Sequence, residues 1–154
     1  MADNYVTNAG TGGNTFAADD IASVFYARVK RSFGRDGVAA DVGTGFRLIS
    51  AASTNATSLK ASAGTLYQLY AVNLNAAVRY IKFYNKASAP TVGTDTPVAT
   101  FPIPASATGA GFQINFDPGF DFSTGIAYAT TTGVADSDTA AVAANEIIVV
   151  GVYV

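Results

Sequence analysis

Along residues 24 to 33, VFYARVKRSF, apolar and polar positions alternate: Phe25, Ala27 and Val29 fall on one side, Tyr26, Arg28 and Lys30 on the other. A period of two is that of a strand with one buried face. Strand signals recur at 45–50 (GFRLIS), 56–61 (ATSLKA), 65–73 (TLYQLYAVN), 78–85 (VRYIKFYN), 97–103 (PVATFPI), 111–116 (GFQINF), 125–131 (GIAYATT) and 146–154 (EIIVVGVYV). Stretches rich in turn formers separate them: NKASAPTVGTDTP, ASATGAG and DPGFDFSTG. About nine short strands joined this way predict an all-β chain, a sandwich or a barrel. The last strand is apolar on both faces, which predicts a place inside a sheet covered on each side. Helix signals are few. Residues 17–30 offer Asp19 or Asp20 as an N-cap, but the alternation and Gly34 and Gly37 oppose it. The alanine-rich 138–146 offers one short turn.

Residues 1 to 20 read differently, being polar, glycine-rich and almost without apolar period. They are expected to form a flexible N-terminal arm that orders against a neighbour, with a single sandwich domain over 21–154. A length of 154 residues suits that division and is enough for a sizeable core. Charged residues make up 13% of the chain and hydrophobic ones 49%, a balance that favours life in an assembly. No apolar run approaches the roughly 18 residues of a membrane span. MADNYVTNAG has neither the basic start nor the apolar core of a signal peptide, so folding in a cytoplasm is expected.

Two residue types are missing altogether. Without cysteine there is no disulfide, thiol nucleophile or thiolate metal site, and without histidine the commonest general base and transition-metal ligand are gone. No catalytic residue, cofactor or metal is therefore expected, and the chain is not read as an enzyme. The charge is unevenly spread: all nine Lys and Arg lie at or before Lys86 with five acids, and six acids with no base follow. Such polarity suits packing against copies or a charged surface. A nucleic-acid binder would carry a denser basic patch with aromatic platforms.

The remaining motifs have plain explanations. GTGGN at 10–14 lacks the Gly-Lys-Ser/Thr ending of a phosphate loop and reads as a turn. Carboxylates at Asp136 and Asp138, and at Asp117 and Asp121 around Pro118-Gly119, raise a calcium site or a glycosidase pair. Turn capping explains them as well. Asn55-Ala56-Thr57 matches the glycosylation sequon, which means little without a secretory signal. In RYIKFYNKASAPTVGTDTPV, 79–98, Ile81 and Phe83 are expected in the core with Tyr80, Lys82 and Tyr84 outward. The loop after them is bracketed by Pro90 and Pro97, with Gly93 free to take a positive φ, and reads as a rigid presented loop.

DDIASVFYARVK (19–30), RLISAASTNATSLKASAGTLY (47–67), RYIKFYNKASAPTVGTDTPV (79–98) and FSTGIAYATTTGVADSDTAAVAANEI (122–147) resemble small structural proteins of tailed bacteriophages. The resemblance implies a β-sandwich on the virion, decorating the capsid or belonging to the tail, and it transfers no catalytic residue. The expectation is a jelly-roll-like capsid decoration or cement protein that bridges major capsid protein subunits. It would be a homo-oligomer, dimer or trimer, carried on the capsid surface after assembly in the host cytoplasm, with no nucleic-acid or membrane partner. Partner contacts are expected at Arg28, Lys30, Arg31 and Arg35, where arm and first strand join, and at Tyr80, Lys82 and Tyr84. The alternative is a tail or fibre component binding host-surface carbohydrate through Tyr80, Tyr84, Asn85 and Asp95.

Overall fold

The computed structural model describes residues 4–6, 15–21, 24–27 and 43–154. The chain divides into two compact units, Met1–Ala39 and Ala40–Val154. In the first, strands β1 (Asn4–Val6), β2 (Thr15–Ile21) and β3 (Val24–Ala27) form an antiparallel sheet in the order β1-β2-β3. β2 runs across the boundary expected after residue 20.

The second unit holds eight strands: β4 (Thr44–Ile49), β5 (Thr57–Lys60), β6 (Gly64–Asn73), β7 (Arg79–Asn85), β8 (Ala99–Ile103), β9 (Ala110–Phe122), β10 (Ile126–Thr131) and β11 (Ile147–Tyr153). They make two antiparallel four-stranded sheets, β5-β10-β7-β8 and β4-β11-β6-β9. No helix occurs among the described residues. The chain is therefore all-β, and this unit is sandwich-like. The count departs from the expected nine strands in one sandwich. Eight of those stretches coincide with β4 to β11, whereas the stretch at 24–33 contributes β3 to the other unit.

The two sheets share one core. Leu66, Leu69 and Ala71 of β6 and Ile147 and Val149 of β11 meet Ile81 and Phe83 of β7 and Ile126 and Tyr128 of β10. Burying each large apolar side chain contributes about 1.5–3 kcal/mol. On the open side between β8 and β9, phenylalanines close the gap: Phe101 lies 6.2 Å from Phe112 and 6.0 Å from Phe116, and Phe120 stands edge-on to Phe122 at 5.1 Å. On the other side the Tyr153 hydroxyl donates to Leu59 O at 3.0 Å, stitching β11 to β5 across the sheets.

Two expected turns are otherwise. DPGFD, expected as a turn, lies inside β9. Four residues of β9 between Asn115 and Phe120 oppose one residue of β6, Tyr67, so a bulge absorbs the extra length. Pro118, which has no amide proton, sits within that bulge, on an edge strand where none is needed. Residues 138–146 form no helical turn. The Ser50 hydroxyl accepts from the amides of Glu146 and Ile147, both at 3.0 Å, and donates to Ala143 O at 2.8 Å, tying this stretch to the end of β4 instead.

Candidate functional site

The outer face of β5-β10-β7-β8 begins with β7. Its core side carries Ile81 and Phe83 as expected, and Tyr80, Lys82 and Tyr84 point away from the core. They do not reach open solvent: Tyr80 is half-buried, Lys82 is 0% exposed and Tyr84 1%. This corrects the expectation of an outward, accessible row. The neighbouring strand explains it, because Ala127 and Ala129 of β10 pair beside Tyr84 and Lys82. Such small side chains leave a trough along the sheet into which loops settle.

Three loops roof the trough. Ala56 and Val92 pack on the cluster of Tyr84, Ala127 and Ala129. The 86–98 loop is closed by Asp95, whose carboxylate pairs with Lys86 and accepts from Thr91 N at 2.6 Å. These bonds hold the Asp95 carboxyl below the ordinary carboxylate range. Gly93 takes the positive φ expected of it, 85°, and a Cβ there would lie 2.5 Å from Thr139 Cγ2, so the 86–98 loop meets the 132–145 loop. In that second loop Asp138 accepts from Gly133 N at 3.2 Å and Ala140 N at 3.1 Å, which is turn capping. Lys82 donates its ammonium to Ala135 O beneath this roof. Burial pulls the Lys82 pKa down, and Asp138 and Asp136 push it partly back. Burial also raises the Tyr84 pKa, with Asp136 and Asp95 adding to it, and the Tyr84 hydroxyl has no hydrogen-bond partner. Among the described residues no three acidic, histidine or cysteine side chains gather as a metal site would require.

At one end of the unit, Glu146 anchors a second network. It pairs with Arg79 and accepts from Ala143 N at 3.1 Å and Asn75 Nδ2 at 3.3 Å. Asn73, buried beside it, donates to Ala77 O at 2.8 Å and Ile103 O at 3.3 Å. The arrangement joins three loop ends and leaves no carboxylate oxygen directed at solvent chemistry.

The residues gathered for carbohydrate do not converge. Tyr84 is roofed, Asp95 is taken by Lys86, and Asn85 faces elsewhere. Asn85 lines an open depression of about 480 Å³ with Thr65, Asp121 and Ser123 over the buried Phe122. Its carboxamide donates to Ser123 Oγ at 2.8 Å and accepts from Thr124 N at 2.7 Å, while Thr65 donates to Asp121 at 2.7 Å. Arg28, Lys30, Arg31 and Arg35 lie outside the described residues.

The outer face of β4-β11-β6-β9 is bare by contrast. Register places Ile49, Ile148, Val72 and Gly111 in one row across it, Arg47, Val150, Tyr70 and Gln113 in the next, and Gly45, Val152, Gln68 and Asn115 in a third. Ile49, Val150 and Tyr70 are 42, 41 and 43% exposed. The final strand, expected to be covered on both faces, is covered on one; among the strands whose burial is described, β10 is the one buried throughout. A pattern of apolar residues on both faces was legible, but whether a face is covered depends on loops far away in sequence. Arg47 is the one charged side chain in these three rows. Six of the twelve positions carry apolar side chains and four carry polar or charged ones, and apolar side chains left exposed together on one sheet face are a mark of a contact surface. No family model matches this chain, and no curated protein or solved structure does either.

Proposed function

We propose that this chain is a structural protein of a tailed-bacteriophage virion, a decoration or cement protein that binds the head and bridges major capsid protein subunits. The observation that carries the reading is the bare face of β4-β11-β6-β9, an adhesive surface on a scaffold whose other sheet is sealed by loops. The phrases of the sequence that resemble phage structural proteins support the same class. We read the fold as a jelly roll. Counted from β4, the sheets run first-eighth-third-sixth and second-seventh-fourth-fifth, an order that two interleaved Greek keys produce. Jelly rolls recur in viral shells, an analogy of architecture that leaves the role to be tested.

The test is the copy number in purified virions, set against the major capsid protein on a calibrated gel. A ratio near one to one, or another simple fraction, is expected for a shell protein bound at every symmetric site. A ratio of a few per cent would overturn decoration and move the protein to the tail. Shell binding should also weaken with salt if Arg28, Lys30, Arg31 and Arg35 face an acidic patch, and charge reversal at all four should abolish it.

The depression at Asn85, Asp121 and Ser123 favours a second reading, a tail module that binds carbohydrate. Hydroxyl, amide and carboxylate groups there match the donors and acceptors of a sugar. Saccharide titration of wild type and Asp121→Ala separates this reading from the first, since decoration predicts no response in either.

A further inference from the structure

We infer that the 133–139 turn is a lid that lifts off Lys82 and Tyr84 as one piece while the two sheets beneath stay folded. This concerns the sealed face alone and stands whether or not the virion reading holds.

The turn is built to move as a unit. Asp138 ties its two limbs together: the carboxylate accepts from Gly133 N and Ala140 N, and the Asp138 amide donates to Ala135 O at 2.9 Å. At the base, Thr132 N donates to Ala140 O at 3.1 Å and the Thr131 hydroxyl to Gly133 O at 2.8 Å, which marks the hinge where the turn leaves β10. Beyond these, one hydrogen bond among the described residues joins the turn to the rest of the unit, from Lys82 to Ala135 O. No side chain of 133–139 is buried; after Thr131 the next buried one is Val142. The remaining hold is contact of Ser137 and Thr139 with Gly93.

What lies beneath favours opening. The Lys82 ammonium has three donors, and it is fully buried with one bond made; the Tyr84 hydroxyl, equally buried, has none. Asp136, in the middle of the turn, is close enough for its charge to act on both groups, so the turn stands over both. Lifting it lets water satisfy the ammonium and the hydroxyl, which removes a desolvation penalty carried by the closed state. The cost is one hydrogen bond to the sheet and one contact with Gly93. A segment held by so few buried contacts opens at a much smaller free energy than the core strands it covers. With the lid raised, an amine and a phenol come within reach of solvent on a face that is otherwise shut.

Acetylation of Lys82 by acetic anhydride in the native full-length chain, followed by peptide mass spectrometry over a series of urea concentrations, tests this. The reagent reaches the amine only in the open state. Because lifting the lid exposes little surface, the Lys82 rate should stay flat in urea until the global transition begins. Tyr84→Phe removes a hydroxyl that gains water on opening and should slow Lys82 acetylation by about fivefold. Gly93→Ala sets a methyl 2.5 Å from Thr139 Cγ2, wedges the lid upward and should speed acetylation by about fivefold. Lys60, outside the roof, serves as the internal standard in each variant. A Lys82 rate that climbs with urea from the outset, at the slope of global unfolding, would overturn the inference, because the amine would then be reached only by unfolding. A flat rate indifferent to both substitutions would overturn it too, by placing the opening in another loop.

Discussion

Tyr84 and Lys82 illustrate how two neighbours on one face of a strand meet different fates under the same roof. The Tyr84 hydroxyl is buried with no partner, so Tyr84→Phe removes a desolvated polar group and keeps the ring. It should raise stability by about 1 kcal/mol, read as a higher urea midpoint at unchanged slope. A lower midpoint would mean that a bound water or another group satisfies the hydroxyl. Lys82 keeps one bond, to Ala135 O, and burial holds its pKa below the ordinary value near 10.5. The unfolded chain therefore binds more protons than the folded one between those two values, and stability rises with pH across that window. Lys82→Met abolishes the term. The stability of wild type relative to Lys82→Met should grow as the pH rises towards the ordinary lysine value near 10.5. Parallel curves would refute the assignment.

At the scale of elements, the strands were legible and their coverings were not. Alternation and short apolar runs located β4 to β11, β9 only in its first half, because such patterning is local, and the same logic put Ile81 and Phe83 in the core. It assigned Lys82 and Tyr84 to the other face without telling what lay above. That depends on Ala56, Val92 and Ala135, far off in sequence, and on the small Ala127 and Ala129 next door. The Pro-Gly pair at 118–119 signalled a turn, yet the edge position of β9 let a bulge hold it within the strand. Loop ends are where this unit invests its polar groups. Glu146, the one glutamate of the chain, joins Arg79, Asn75 and the 143–146 turn. Glu146→Ala leaves the Arg79 guanidinium, 13% exposed, without its counter-charge. That should cost about 3–5 kcal/mol in urea unfolding, and Arg79→Met with Glu146→Leu should recover much of it. A loss below about 1 kcal/mol would show the pair to be solvated.

For the molecule as a whole, the unit Ala40–Val154 has two unlike faces built from the same kind of sheet. Neither its sealed face nor its bare one was readable from composition, although low charge and many short strands pointed to a protein of contacts. Contact clusters on the sealed side draw on loops, whereas on the other Ile49, Tyr70 and Val150 stay exposed. The copy number in purified virions tests the role of the exposed face at the level of the assembled protein.

The sealed face has a practical consequence. Val134, 60% exposed on the 132–138 turn, stands on the side opposite the bare sheet. A short epitope grafted beside it would lie away from the β4-β11-β6-β9 face and leave that face untouched. The fold thus separates its exposed apolar sheet face from a surface that can accept an insertion.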